Sequence, residues 1–198
     1  MKKILFVLLL SLFLIACGNE SESDAGSDIT PEETETTTMD FADFNNDINT
    51  YTDEMGETYT ILEKYKRDES ADNGFNKVNF DGYEYKFSVL AVESESESQE
   101  YIALVGETEN TTDNSVQFNS EAEIITDTQE QSESDFLYAV GESDPSVITE
   151  AFILIPINRG IPESFSLEID TPWIALDNGE QGGYIGSNVK MEFHKENN

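Results

Sequence analysis

The chain has 198 residues, with 42 acidic against 10 basic side chains and a formal charge of −32 at neutral pH. Such a chain cannot neutralise phosphates, which argues against nucleic-acid binding, and anionic headgroups or wall polymers repel it over about 10 Å in ordinary salt. A single cysteine and a single histidine allow no intrachain disulfide and no zinc ligand set, so the fold must rest on its core.

Residues 1–16 begin with Lys2 and Lys3, continue through an apolar run interrupted by Ser11, and end in Ala16. This is the pattern of a secretory signal peptide. The apolar stretch, about 13 residues, is shorter than the roughly 20 that a spanning helix needs. The sequence Leu14-Ile15-Ala16-Cys17 resembles the lipobox of bacterial lipoproteins. That resemblance implies cleavage after Ala16, diacylglycerol on the Cys17 thiol, and residence at the extracytoplasmic face of the cell membrane. Two acyl chains hold a protein there stably, so no other membrane-binding surface is needed.

Residues 17–38 follow Cys17 with seven acids, no base and no aromatic residue. With so little apolar surface to bury, they read as a disordered acidic tether that stands the folded part off the bilayer. Across residues 39–57, Phe41, Phe44, Ile48, Tyr51 and Met55 recur at intervals of 3, 4, 3 and 4, which predicts an amphipathic helix. Asp40 and Asp43 suit its N-terminal end and Gly56 its stop. Its apolar stripe suits packing on the domain, and its acidic face argues against an anionic membrane; a partner-binding helix is the other reading.

From residue 58 the period is two. Tyr83, Tyr85, Phe87 and Val89 alternate with polar residues, and Asp81-Gly82 between apolar runs is a strong hairpin signal. Alternation returns at residues 101–105, at Val116 and Phe118, and more weakly at 121–126 and 136–140. Residues 147–157 are the most apolar run and predict a central strand buried on both faces. Phe165, Leu167 and Ile169, then Val189, Met191 and Phe193, close the pattern. About eight strands predict an antiparallel β-sandwich over residues 58–198.

Three stretches carry a family resemblance: VNFDGYEYKFSVLAVE, YIALVGETENTTDNSVQF and ITEAFILIPINRGIPESFSLEI. They resemble the telokin-like, immunoglobulin-like domain of unknown function found in Gram-positive surface lipoproteins, over roughly residues 58–193. The family's glycine pair before the late apolar strand is absent here; Gly141 and Pro145 stand in that region. The resemblance implies an immunoglobulin-like sandwich and brings no catalytic residues with it.

Little else points to chemistry. His194 lies on an alternating strand with no serine motif near it, so it reads as a solvent-facing residue. Paired carboxylates carry no weight in a chain with 42 acids. Residues 68–74, DESADNG, place oxygen donors at alternate positions as calcium loops do, but the glycine falls one place late for an EF-hand and the twelfth position is Asn79, so an acidic turn is the favoured reading. Residues 93–98, ESESES, read as a solvated loop. Trp173 is either a stacking platform for sugar or peptide or a cover over the core's end. Lys64, Lys66, Arg67 and Lys77 cluster early, whereas residues 87–158 hold sixteen acids and no base, an asymmetry suited to a cationic partner. The expected function is that of a lipid-anchored, non-enzymatic binding or structural module with a protein or envelope partner. No catalytic, cofactor or metal residues are expected beyond the lipidation site Cys17. The alternatives are a calcium- or small-ligand-binding lipoprotein and, third, an anchored hydrolase.

Overall fold

The computed structural model describes residues 49–53, 56–67, 76–118, 121–134 and 141–196, all within one compact unit, Thr38–Asn198. The described residues are all-β and contain fourteen strands: β1 Thr50–Thr52, β2 Thr58–Lys66, β3 Asn76–Phe80, β4 Tyr83–Ser94, β5 Glu100–Asn110, β6 Val116–Phe118 and β7 Ala122–Thr126, then β8 Gln131–Glu133, β9 Gly141–Ser143, β10 Ile148–Ile157, β11 Ser164–Ile169, β12 Trp173–Ala175, β13 Gln181–Tyr184 and β14 Val189–Lys195. The lipidation expected at Cys17, the expected tether, the acidic stretch at 68–74 and the weaker strand candidate at 136–140 fall outside the described residues. Among those described, no helix is long and apolar enough to cross a membrane.

Every pairing is antiparallel. The main sheet runs β10-β5-β4-β2-β14-β11-β7-β8, with β1 added on β2 and β3 on β4. The β3–β4 hairpin forms as its sequence predicts. Asp81 and Gly82 take φ of 49° and 106°, the left-handed pair that a two-residue turn between twisted strands requires. Asn79 Oδ1 accepts the Gly82 amide at 2.9 Å.

Alternation sends one face of each strand inward. Tyr83, Tyr85 and Phe87 on β4, Ile102 and Leu104 on β5, Phe165 and Leu167 on β11, and Phe193 on β14 form one continuous core. A second sheet, β13-β12-β6-β9, closes over it: Phe118 of β6 lies 5.6 Å, ring to ring, from both Tyr83 and Tyr85. The two sheets make a sandwich whose larger member curls nearly into a barrel.

The curl brings the ends of the main sheet together, with β8 against β10. Glu130, in the β7–β8 turn, fastens them. Its carboxylate accepts the Asn158 amide at 2.8 Å, the Asn158 side chain at 3.1 Å and the Arg159 amide at 3.0 Å. Burial pushes the Glu130 carboxyl up, but the bonds from Asn158 and Arg159 outweigh it, so its pKa falls below the usual value. A depressed folded-state pKa means that the unfolded chain takes up the proton first as pH falls. The stabilisation is therefore complete above the unfolded value of about 4.3 and is lost as pH drops through the lower folded one. Glu130→Ala should cost about 1–3 kcal/mol. Thermal midpoints measured from pH 7 to pH 3 should fall less steeply for the variant than for the native chain.

Two sequence expectations need correction. Within the predicted helix, Thr50–Thr52 are extended and pair with β2, Thr50 opposite Thr60 and Tyr51 opposite Tyr59. Two threonines favour a strand through their branched side chains, and the Tyr51 ring packs on Tyr59 and Phe152 at 6.1 and 4.9 Å. Residues 39–48, 54 and 55 lie outside the described residues. Likewise, β10 is not central. It is the first strand of the sheet order and pairs with β5 alone. Both its faces are apolar because two clusters meet there: Ile153, Ile155 and Ile157 join the main core, and Leu154 joins a second cluster on the opposite face. Pro156, which has no amide to donate, is tolerated in such a terminal strand.

Candidate functional site

The smaller sheet carries the most exposed aromatic surface among the described residues. β12 and β13 form a hairpin around Leu176, Asp177, Asn178, Gly179 and Glu180. The Gly179 amide bonds Leu176 O at 2.8 Å, and Asn178 Oδ1 accepts the Glu180 amide at 3.1 Å. The open end is tied by the Thr171 hydroxyl, which donates to Ile185 O, and by the Ile185 amide, which donates to Pro172 O at 2.9 Å. Gly182 is required where it stands, because a Cβ would come 2.8 Å from Ile174 O. Gly183, next to it, has nothing within 4 Å of that position.

Trp173 sits directly opposite Tyr184, and opposed residues share a face of the sheet. Ile174, between Trp173 and Ala175, turns inward against the main core, so Trp173 and Tyr184 face outward. Trp173 is half-buried, and Tyr184 is 67% exposed. β13 is the end strand of its sheet, with β12 on one side and no described strand on the other. Its sequence, Gln-Gly-Gly-Tyr, has neither the charge nor the proline with which proteins usually blunt such an edge. Trp173, read from the sequence as either a cover over the core's end or a stacking platform, has beside it an exposed ring, Tyr184, that sequence reading missed. The signal was there: Asp177-Asn178-Gly179 is turn chemistry between two short uncharged runs.

Two depressions lie elsewhere. One, of about 250 Å³, is lined by Gly56, Glu57, Tyr59, Ser94, Ser96, Glu97 and Tyr101. Glu57 Oε1 accepts the Ser94 and Ser96 hydroxyls at 2.6 and 2.8 Å and the Ser96 amide at 3.1 Å. These bonds, Ser94's foremost, lower its pKa. Part of the predicted solvated loop at 93–98 is thereby pinned. The other depression, about 390 Å³, is lined by Glu121, Glu123, Glu133, Glu168 and Asp170, with Ala122 and Ser134. Burial, then the Asp170 charge, raises the Glu121 pKa. Asn188 Nδ2 bridges Glu168 and Asp170 at 3.3 and 2.6 Å. No group of three or more ligands able to hold a metal occurs among the described residues.

His194 is exposed on β14, as expected for a solvent-facing strand residue. Ser164 pairs opposite it on β11, but no hydrogen bond joins them. Of the early cations, Lys77 pairs with Glu84 at 2.6 Å, and Lys195, near the C-terminus, pairs with Glu163 at 2.9 Å.

No family model, no curated protein and no solved structure matches this chain.

Proposed function

We propose that the protein is a non-enzymatic binding module, held at the extracytoplasmic face of a bacterial membrane by an acylated Cys17, which receives an extended segment of a protein or envelope partner along the edge of β13 that no described strand occupies. The observation that carries this reading is Tyr184, 67% exposed beside Trp173 on an unguarded strand. An incoming strand would take its affinity from backbone hydrogen bonds to β13, and the two rings would grip alternate side chains. Asp177 and Glu180 at the hairpin turn favour a segment that carries positive charge. An immunoglobulin-like classification belongs to the same proposal. Its support is local: residues 101–118 form a strand, turn and strand, and residues 148–169 form an apolar strand, loop and alternating strand, as the family resemblance implies.

Gly183→Lys tests the edge, because the position has room for a side chain and a lysine blunts a strand edge. Cross-linking and affinity capture from the producing cells should lose partner species with Gly183→Lys and with Tyr184→Ala, while thermal midpoints stay near native. Equal capture by all three proteins refutes edge binding. The anchor has a separate test. Cys17→Ser should release the protein from the membrane fraction or leave it as uncleaved precursor, and a cleaved serine variant that stays membrane-bound excludes lipid anchoring.

A further inference from the structure

The β12–β13 hairpin turns at Asn178-Gly179, the only asparagine–glycine pair among the described residues. Every other described asparagine precedes a residue whose side chain crowds the next amide nitrogen. Residues 176–180 are all exposed, yet the Asn178 side chain folds back over the backbone. Its Oδ1 accepts the Glu180 amide at 3.1 Å, and its Nδ2 donates to Glu180 Oε2 at 3.0 Å. A turn in which an asparagine oxygen takes the amide two residues on carries Cγ across the intervening peptide, whose nitrogen is that of Gly179. Gly179 has a φ of 78°, and nothing lies within 4 Å of where a Cβ would stand. The Gly179 N–H is held only by Leu176 O, at 2.8 Å, in an exposed turn where local opening is readily reached.

We propose that Asn178 is a site of self-modification, at which the Gly179 nitrogen displaces the side-chain amide and the turn ages to aspartate and isoaspartate. The conversion balances with water as its co-reactant. The Gly179 N–H gives its proton to hydroxide, the N–Cγ bond forms, and the Cγ–Nδ2 bond breaks as Nδ2 leaves in ammonia. Water then opens the cyclic imide. Opening at Cγ leaves aspartate, whereas opening at the main-chain carbonyl leaves isoaspartate, with an extra methylene in the backbone. Both products place a new negative charge between Asp177 and Glu180. Isoaspartate also lengthens the loop that sets β12 against β13, and so moves Trp173 relative to Tyr184, which now face each other. One consequence rests on the edge-binding reading above: the modification limits the working life of that edge.

Purified full chain, held folded at mildly alkaline pH, should lose the Asn178 amide progressively, with isoaspartate the larger product. Peptide mapping by mass spectrometry reads the loss, and fragmentation across the Cα–Cβ bond separates isoaspartate from aspartate. The loss should slow severalfold as the pH is lowered, because hydroxide takes the proton of the attacking nitrogen. Asn178→Gln should suppress it, because a glutamine must close a larger ring. An Asn178 amide that stays intact in the folded chain overturns the proposal, even where the urea-unfolded chain loses it. Conversion confined to Asn73, of the Asn73-Gly74 pair outside the described residues, overturns it too, as does a loss independent of pH. Trp173 is the chain's one tryptophan, so its emission gives a second reading from the hairpin alone. The emission should shift in step with isoaspartate, and a native spectrum from the isoaspartate form would overturn the claim that the turn sets Trp173 against Tyr184. Neither reading involves a partner, so failure here leaves edge binding to its own test.

Discussion

Gly106→Ala is expected to abolish folding or to leave a chain that unfolds far below the native midpoint. Gly106 lies in β5 between Phe87 of β4 and Ala151 of β10. A Cβ there would collide with Lys86 O and would come 2.6 Å from Phe87 Cα and 2.7 Å from Phe87 Cβ. The atoms in the way are mostly backbone, so no side chain can rotate to relieve the overlap. Overpacking in a core costs about 1–3 kcal/mol when side chains can adjust. Where two strands must part, at least about 3 kcal/mol is expected, a large share of the roughly 5–15 kcal/mol that holds a domain. Gly183→Ala is the matched control: with nothing within 4 Å, it should fall within about 0.5 kcal/mol of native. Denaturant titration of both variants checks the pair, and equal midpoints would show that the approach of β4 and β5 is looser than described.

Leu154→Ala should come second. Leu154 is 0% exposed on the outer face of β10, and removing a buried leucine side chain costs about 2–5 kcal/mol. Phe152→Ala should cost somewhat less, because Phe152 is only partly buried, although it also gives up ring contacts to Tyr51 and Tyr59 at 4.9 and 5.5 Å. His194→Ala, at an exposed strand position, should shift stability by less than about 0.5 kcal/mol. Equilibrium unfolding of the three variants gives the ranking. If His194 proved critical and the two apolar changes silent, the strand assignment would fail and a histidine-dependent site would need to be considered again.

The sequence revealed the fold where its information was local. Period-two alternation located β4, β5, β11 and β14, and Asp81-Gly82 located the β3–β4 turn, because a side chain's alternation depends only on its immediate neighbours. Strand order is not local. Nothing within residues 147–157 distinguishes a strand flanked on both edges from one that is apolar on both faces for another reason, and β10 proved to be the second kind. The closure by Glu130 was equally hidden, since it depends on two amides about 28 residues away. At residues 50–52 a genuine helical periodicity lost to pairing with β2, as tertiary contacts can override local propensity. The candidate site was half legible. Trp173 stood out as the one tryptophan, but Tyr184 became noticeable only once β13 was seen to end its sheet. The short run Gln-Gly-Gly-Tyr is too brief to show alternation.

The position of β14 has a temporal consequence. This late segment lies between β2 and β11, joining the part of the main sheet built from β1 to β5 and β10 to the part built from β7, β8 and β11. Among the described strands, β14 alone pairs with both parts. Without residues 189–195, β2 would keep an unpaired edge at Tyr65 and Lys66, and β11 would keep one along its length. The main sheet is therefore completed only once this segment is in place, however early its other pairings form.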